Sequence, residues 1–169
     1  MVEARRILDL TMPDITAYPI YANPIAIMQC HAETCEWLLS NFIQICSNQA
    51  ALNYYDFNYK YCFFLNVQKI KKKVLEKWGI DIIRFILNSI SDGYYVYMLV
   101  KRKYIDAYYF QDEDEYAHNI LLYGYDMAEK IFYIADNFKG GDIFLQNAVL
   151  RKWNMLLGEW RPTMKIGGI

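Results

Sequence analysis

Three side chains of this sequence could together carry out acyl transfer: the thiol of Cys30, the imidazole of His118 and the carboxylate of Asp136. A thiol becomes a strong nucleophile when its pKa falls, and the first turn of a helix, where backbone N–H groups are unpaired, is one place where that happens. The run CHAETCEWLLSNFIQIC, residues 30–46, carries helical periodicity. Within it Cys35, Leu38, Leu39, Phe42 and Cys46 recur at i, i+3, i+4, i+7 and i+11, so they form one apolar stripe and read as core. Cys30 points ~140° away from Cys35 at 3.6 residues per turn. Lying at the expected first turn, Cys30 is the nucleophile this pattern favours, with Cys35 as the alternative.

The base and its orienter come from a hairpin. In AHNILLYGY, residues 117–125, alternation puts His118, Ile120, Leu122 and Gly124 on one face, and in IFYIAD, residues 131–136, Phe132, Ile134 and Asp136 share a face. A three-residue loop at 126–128 pairs Tyr125 with Glu129 and brings His118 opposite Asp136, with Cβ atoms ~5 Å apart. A five-residue loop shifts the pairing by two residues and still leaves both on one face. A carboxylate so placed fixes the tautomer of an imidazole and supports its charged form. Taken singly, each residue has a plain structural role: a small helix-start residue, a strand-edge histidine, a turn aspartate. Their conjunction is what points to chemistry.

The elements that must position these groups read as helices first and antiparallel strands after, which is the α+β class. Residues 1–29 read as an irregular leader broken by Pro13, Pro19 and Pro24. Helices are expected over 30–46, over 66–78 with Gly79 as its stop, and over 81–91 ending at Asp92-Gly93. A strand follows at 94–100, an acidic loop at 111–115, then the hairpin, a turn at Gly140-Gly141, and a helix at 146–157. The 169 residues fit one domain. Residues 1–91 form its mainly helical part, with the nucleophile helix; 92–169 form an antiparallel β part with the histidine, the aspartate and a C-terminal helix.

Composition excludes some classes. The formal net charge is −1, which argues against the concentrated basic field that nucleic acid requires. Lys69, Lys71, Lys72, Lys73 and Lys77 make one basic run, read as a solvated helix face above an apolar stripe of Val67, Ile70, Val74, Leu75 and Trp78; the alternative is a docking patch for an acidic carrier protein. No run approaches the ~18 apolar residues of a membrane helix, and the N-terminus lacks a signal-peptide core, so a cytoplasmic protein without membrane contact is expected. Its four cysteines, at 30, 35, 46 and 62, should then be free thiols, and with His31 and His118 the only histidines, a zinc site is poorly supported. The 16 tyrosines suit a groove with flat apolar walls and polar tips, but the bias of a low-GC genome toward Tyr, Asn, Ile and Lys accounts for them without any functional cause and is the favoured reading.

Cys30 leading into a helix, His118 in AHNILLYGYD and Asp136 in FYIADNF resemble the papain-like cysteine peptidase clan, particularly its bacterial leader-peptidase and butirosin-type acyltransferase branches. The likeness runs through the β-region from Asp92 to Phe138. It is weaker around the cysteine, where His31 stands in place of a common glycine and the upstream oxyanion-hole glutamine is missing. Asn23, or as second choice Gln29, would replace that glutamine beside the backbone N–H of Cys30. The resemblance implies a papain-like fold, no cofactor and no metal. It further implies a Cys30–His118–Asp136 acyltransferase that takes an acyl group from a carrier-protein thioester and passes it to a small amine or diamine, forming an amide in the biosynthesis of a non-ribosomal peptide-like product. A peptidase of the same fold, and an inactive papain-like binding module, are the alternatives.

Overall fold

β-Branched and aromatic residues build the middle of a sheet, and their pairing dictates where every candidate residue ends up. The structure is a computed structural model that describes residues 3–16, 19–41, 45–46, 54–55, 62–101, 105, 117–139, 142–144 and 164–168. Its strands are β1 (Arg5–Ile7), β2 (Ile45–Cys46), β3 (Tyr54–Tyr55), β4 (Asn66–Ile70), β5 (Tyr95–Lys101), β6 (Ala117–Asp126), β7 (Ile131–Lys139), β8 (Asp142–Phe144) and β9 (Met164–Gly168). Its α-helices are α1 (Pro19–Met28), α2 (Cys35–Asn41), α3 (Lys72–Lys77) and α4 (Ile82–Ser91), with a short 3₁₀ turn over Ala32–Thr34. The main sheet runs β4-β9-β5-β6-β7-β8, and every pairing among its described strands is antiparallel. β5 pairs with residues 117–122 of β6, and β1 with 124–126. Because β7 holds the other edge of β6, β1 and β5 lie end to end along one edge. The described architecture is α+β.

α4 shows how local sequence and packing agree. The Asp81 side chain accepts a hydrogen bond from the Arg84 N–H at 2.7 Å and caps the first turn. Ile82, Ile83, Ile86, Leu87 and Ile90 are buried on one stripe, and burying each such side chain stabilises by roughly 2 kcal/mol. At the other end Gly93, at φ +89°, lets Tyr94 N–H reach Ser89 O and Gly93 N–H reach Ile90 O. The stripe packs on β5 and β6, where Val96, Met98, Ile120 and Leu122 are buried. α1 covers β6 and β7, where Phe132 and Ile134 are buried.

Several sequence expectations are corrected. The first 29 residues are not an irregular leader: they hold β1 and α1, and α1 continues through Pro24. Pro24 removes only the bond to the Ile20 carbonyl, while burial of Ala22, Ile25, Ala26 and Met28 holds the helix on the sheet. Residues 66–78 are not one helix. Asn66–Ile70 pairs residue for residue with Met164–Gly168, and this long-range ladder overrides the local 3.6 period, leaving only the short α3. Residues 30–46 are not one helix either. α2 stops at Asn41 and Cys46 lies in β2, so the stripe breaks: Leu38 is buried, but Cys35 is exposed and Leu39 is 79% exposed. The helix expected at 146–157, the turn at Gly140-Gly141 and the acidic loop at 111–115 lie outside the described residues. No described helix is long and apolar enough to cross a membrane.

Candidate active site

The β6–β7 hairpin closes through four residues, since Asp126 pairs with Ile131. Asp126 accepts from the N–H groups of Ala128 and Glu129 at 3.0 and 3.1 Å, and Lys130 takes φ +54° to bring the chain round. A four-residue loop alone sets the wrong parity for the site. Continued unchanged along β6, this register would put Asn119, not His118, on the face of Asp136.

A β-bulge repairs it. Gly124 pairs with Tyr133, but Leu122 pairs with Ile134, so Tyr123 is the extra residue. Past the bulge Leu121 faces Ala135; one step on, Ile120 lies opposite Asp136, and His118 is its diagonal neighbour on the same face. Diagonal neighbours are ~7–8 Å apart at the backbone, within reach of an imidazole and a carboxylate. The bulge is braced from β1: Leu8 N–H donates to Tyr123 O at 2.8 Å. Gly124 has no room for a side chain, because a Cβ there would come within 2.8 Å of Arg6 O and 3.1 Å of Ile7 Cα. The sequence signal for this device is a glycine inside a strand, which marks bulges and close backbone approaches.

The resulting pair is tight. His118 Nε2 lies 3.0 Å from Asp136 Oδ1 and 2.8 Å from Oδ2. Asp136 is fully buried, in the interior strand β7 between β6 and β8, whereas the His118 side chain is 35% exposed. A buried carboxylate at this distance keeps the ring proton on Nε2 and stabilises the positive charge the ring gains when Nδ1 takes up a proton. With Nε2 committed to Asp136, proton uptake by the ring falls to Nδ1.

Cys30 is placed differently. It does not open a helix: α1 ends at Met28, the N–H groups of Gln29, Cys30 and His31 bond back to the carbonyls of Ile25, Ile27 and Met28, and helical structure resumes only at Ala32. The C-terminal end of a helix carries partial negative charge, the wrong sign to favour a thiolate. The sulfur donates to Ala26 O at 3.3 Å. Burial above all, and the Asp9 carboxylate next, push the Cys30 thiol up, against a smaller opposing effect of the Thr11 N–H. Tyr95 stands in the same cluster, its hydroxyl donating to Asp9 O. A cavity of about 320 Å³ adjoins them, lined in part by Arg6, Asp9, His31, Gly93 and Tyr95.

The structure thus brings together His118 and Asp136 but not Cys30. Tyr95 opens β5, while His118 pairs with Val100, five residues further on, or ~17 Å along the strand. The expected oxyanion donors are also committed or remote. The Cys30 N–H is bonded to Ile27 O at 3.2 Å, and Gln29 exchanges hydrogen bonds with Asp14. Asn23 is only 2% exposed, with neither amide atom hydrogen-bonded among the described residues. It lies seven residues before Cys30, ~10 Å along the helix axis, too far for one oxyanion to meet both. Cys35, the alternative nucleophile, begins α2 and is exposed; Cys62 is buried, and burial pushes its thiol up. Among the described residues no group of three His, Cys, Asp or Glu side chains could hold a metal ion.

No protein-family model, no curated protein and no solved structure matches the chain.

Proposed function

We propose that this chain is an acyl-transfer enzyme of papain-like architecture in which His118, held by Asp136, is the general base. The observation that carries the reading is the pair itself: a fully buried carboxylate 2.8 Å from the Nε2 of a ring that is one-third exposed. A purely structural ion pair has no need for one partner to reach the surface, whereas a general base must meet its substrate.

The reaction is transfer from a carrier-protein thioester to a small amine. Nδ1 of His118 takes the proton of the attacking nucleophile as its bond to the thioester carbonyl forms. The tetrahedral intermediate collapses, the carbon–sulfur bond breaks, and the departing thiolate recovers the proton from the imidazolium. In the covalent route Cys30 attacks first and the amine displaces it from the acyl-cysteine. That route requires the turn at 29–31 to release the sulfur from Ala26 O and carry it toward His118. The protonated, helix-end setting of Cys30 favours a second route, in which His118 deprotonates the amine for direct attack on the thioester.

An acyl N-acetylcysteamine thioester incubated with a diamine tests the reading. Amide that disappears in His118→Ala supports it; free acid as the only product points to a hydrolase, and no turnover at all points to a binding module. Cys30→Ala separates the routes, since only the covalent one stops.

A further inference from the structure

The strongest feature that the site does not use is the segment from Val67 to Ile80. Residues 67–78 carry five lysines, at 69, 71, 72, 73 and 77, against a single carboxylate, Glu76. That is five of the chain's 18 cationic side chains in twelve residues of a protein whose net charge is −1. Glu76 is engaged by Lys72 at 3.2 Å, so Lys69, Lys71, Lys73 and Lys77, all exposed, present an uncompensated field.

Lysines on an edge strand often do no more than block edge-to-edge association. Here the same segment displays apolar groups that work against such a guard. Trp78 is 70% exposed, and Val67 and Ile80 are each 37% exposed. A large exposed aromatic in a segment of one charge has the composition of a recognition surface, where the charge gives approach and orientation and the aromatic gives affinity.

Register relates this face to the proposed site. β4 and β5 both run antiparallel to β9, hence parallel to each other, and Lys69 and Tyr97 are both opposite Lys165. The chain then continues into Lys71 and α3 in the direction in which β5 runs from Tyr97 to Val100 and its partner His118. β6 is three strands from β4, or ~14 Å at the usual spacing. A thioester on a flexible arm can cross that distance.

We infer that residues 67–80 form the docking face for an acidic partner protein, and, resting on the acyl-transfer reading above, that this partner is the protein that presents the acyl thioester. Lysine ammonium groups bind surface carboxylates, and Trp78 packs on an apolar spot between them. Nucleic acid is the other polyanion; the segment is short and the chain's net charge of −1 argues against the broad basic field that nucleic acid requires.

The test uses a fluorescently labelled acidic acyl carrier protein bearing phosphopantetheine, titrated with the full chain and read by anisotropy. Affinity should fall at least tenfold in Lys71→Glu/Lys73→Glu/Lys77→Glu and severalfold in Trp78→Ala, and should weaken with added salt, with unfolding temperatures unchanged. No binding to the native chain, equal binding by the triple variant, or tighter binding of a 20-nucleotide oligothymidine would overturn the inference. Turnover adds an independent readout: the triple variant should lose at least tenfold on the carrier-bound thioester and keep its rate on the N-acetylcysteamine thioester. Loss of both rates in a folded variant also overturns it. Because binding is read without turnover, a native chain that consumes no thioester refutes the acyl-transfer reading, while the affinities alone decide the docking face.

Discussion

The two ends of the β5–β6 ladder hold the two halves of one expected chemistry and treat them in opposite ways. At the His118 end a buried carboxylate meets a ring that reaches the surface. At the Tyr95 end a thiol donates to a helix carbonyl and is kept protonated by burial and by Asp9. The first arrangement stabilises the charge that catalysis would create; the second suppresses it. Residue types in a suggestive order therefore do not amount to a site. What makes one is the sign of the field at each residue and whether the strands carry the groups to the same end.

The sharpest way to break this contrast is at the poised end. Asp136→Asn keeps the shape of the side chain but removes the charge and the tautomer control, so any His118-dependent turnover should fall on the order of 10³-fold or more, measured as kcat/KM. If turnover survives, His118 and Asp136 are a structural pair. His118→Ala should also cost about 2 kcal/mol of stability in urea unfolding, below the usual cost of orphaning a buried charge because the ring is partly exposed.

Gly124→Ala tests whether the bulge holds the pair. Its Cβ would meet backbone atoms of β1, which cannot swing aside, so a loss of about 1–3 kcal/mol is expected. The more telling readout is local: the His118 ring resonances in NMR should shift as the register near Tyr123 relaxes. An unchanged His118 spectrum in a folded variant would show that the pair does not depend on this bulge.

This device was only partly legible. Strand identities, the hairpin and the shared face of Phe132, Ile134 and Asp136 follow from period-two alternation. The sequence predicts a loop of three or five residues, and either would join His118 to Asp136 without help. The true loop has four, and the pairing is restored by an extra residue whose only mark in the sequence is Gly124. Loop length and bulge cancel in parity, so the pairing that alternation predicts occurs through a different backbone route.

At the other end, Cys30 should react slowly with iodoacetamide at neutral pH, because a raised pKa leaves little thiolate there. Its labelling rate should climb only above the ordinary thiol range, with the exposed Cys35 labelled first in peptide mass spectra. Asp9→Asn removes one cause of the rise and should speed Cys30 labelling severalfold at fixed pH. Fast labelling of native Cys30 at pH 7 would erase the contrast between the two ends.

The smallest effect concerns Tyr95, whose pKa burial above all, then Cys30 and Asp9, hold well above the usual tyrosine value. The folded chain keeps the phenol neutral where the unfolded chain would ionise it. Above about pH 10 the unfolded state therefore binds fewer protons, and stability falls as pH rises. Tyr95→Phe should lose about 1 kcal/mol at pH 7 with the hydrogen bond to Asp9 O, and should show a shallower alkaline loss. Identical alkaline slopes would assign that loss to other tyrosines.

By itself the sequence determined what depends on neighbours a few residues apart: the apolar stripe of α4 with its Asp81 cap and Gly93 stop, the β-branched runs of β5, β6 and β7, and the absence of a broad basic field. Tertiary structure decided everything that depends on distant partners. Pairing with β9 turned residues 66–70 into a strand, packing on the sheet carried α1 through Pro24, and the bulge at Tyr123, beside the close approach of β1 to Gly124, shifts the register so that His118 meets Asp136. It also put Cys30 at the end of one helix instead of the start of another. Local preferences differ by a few tenths of a kcal/mol per residue, and a ladder or a buried face outweighs them.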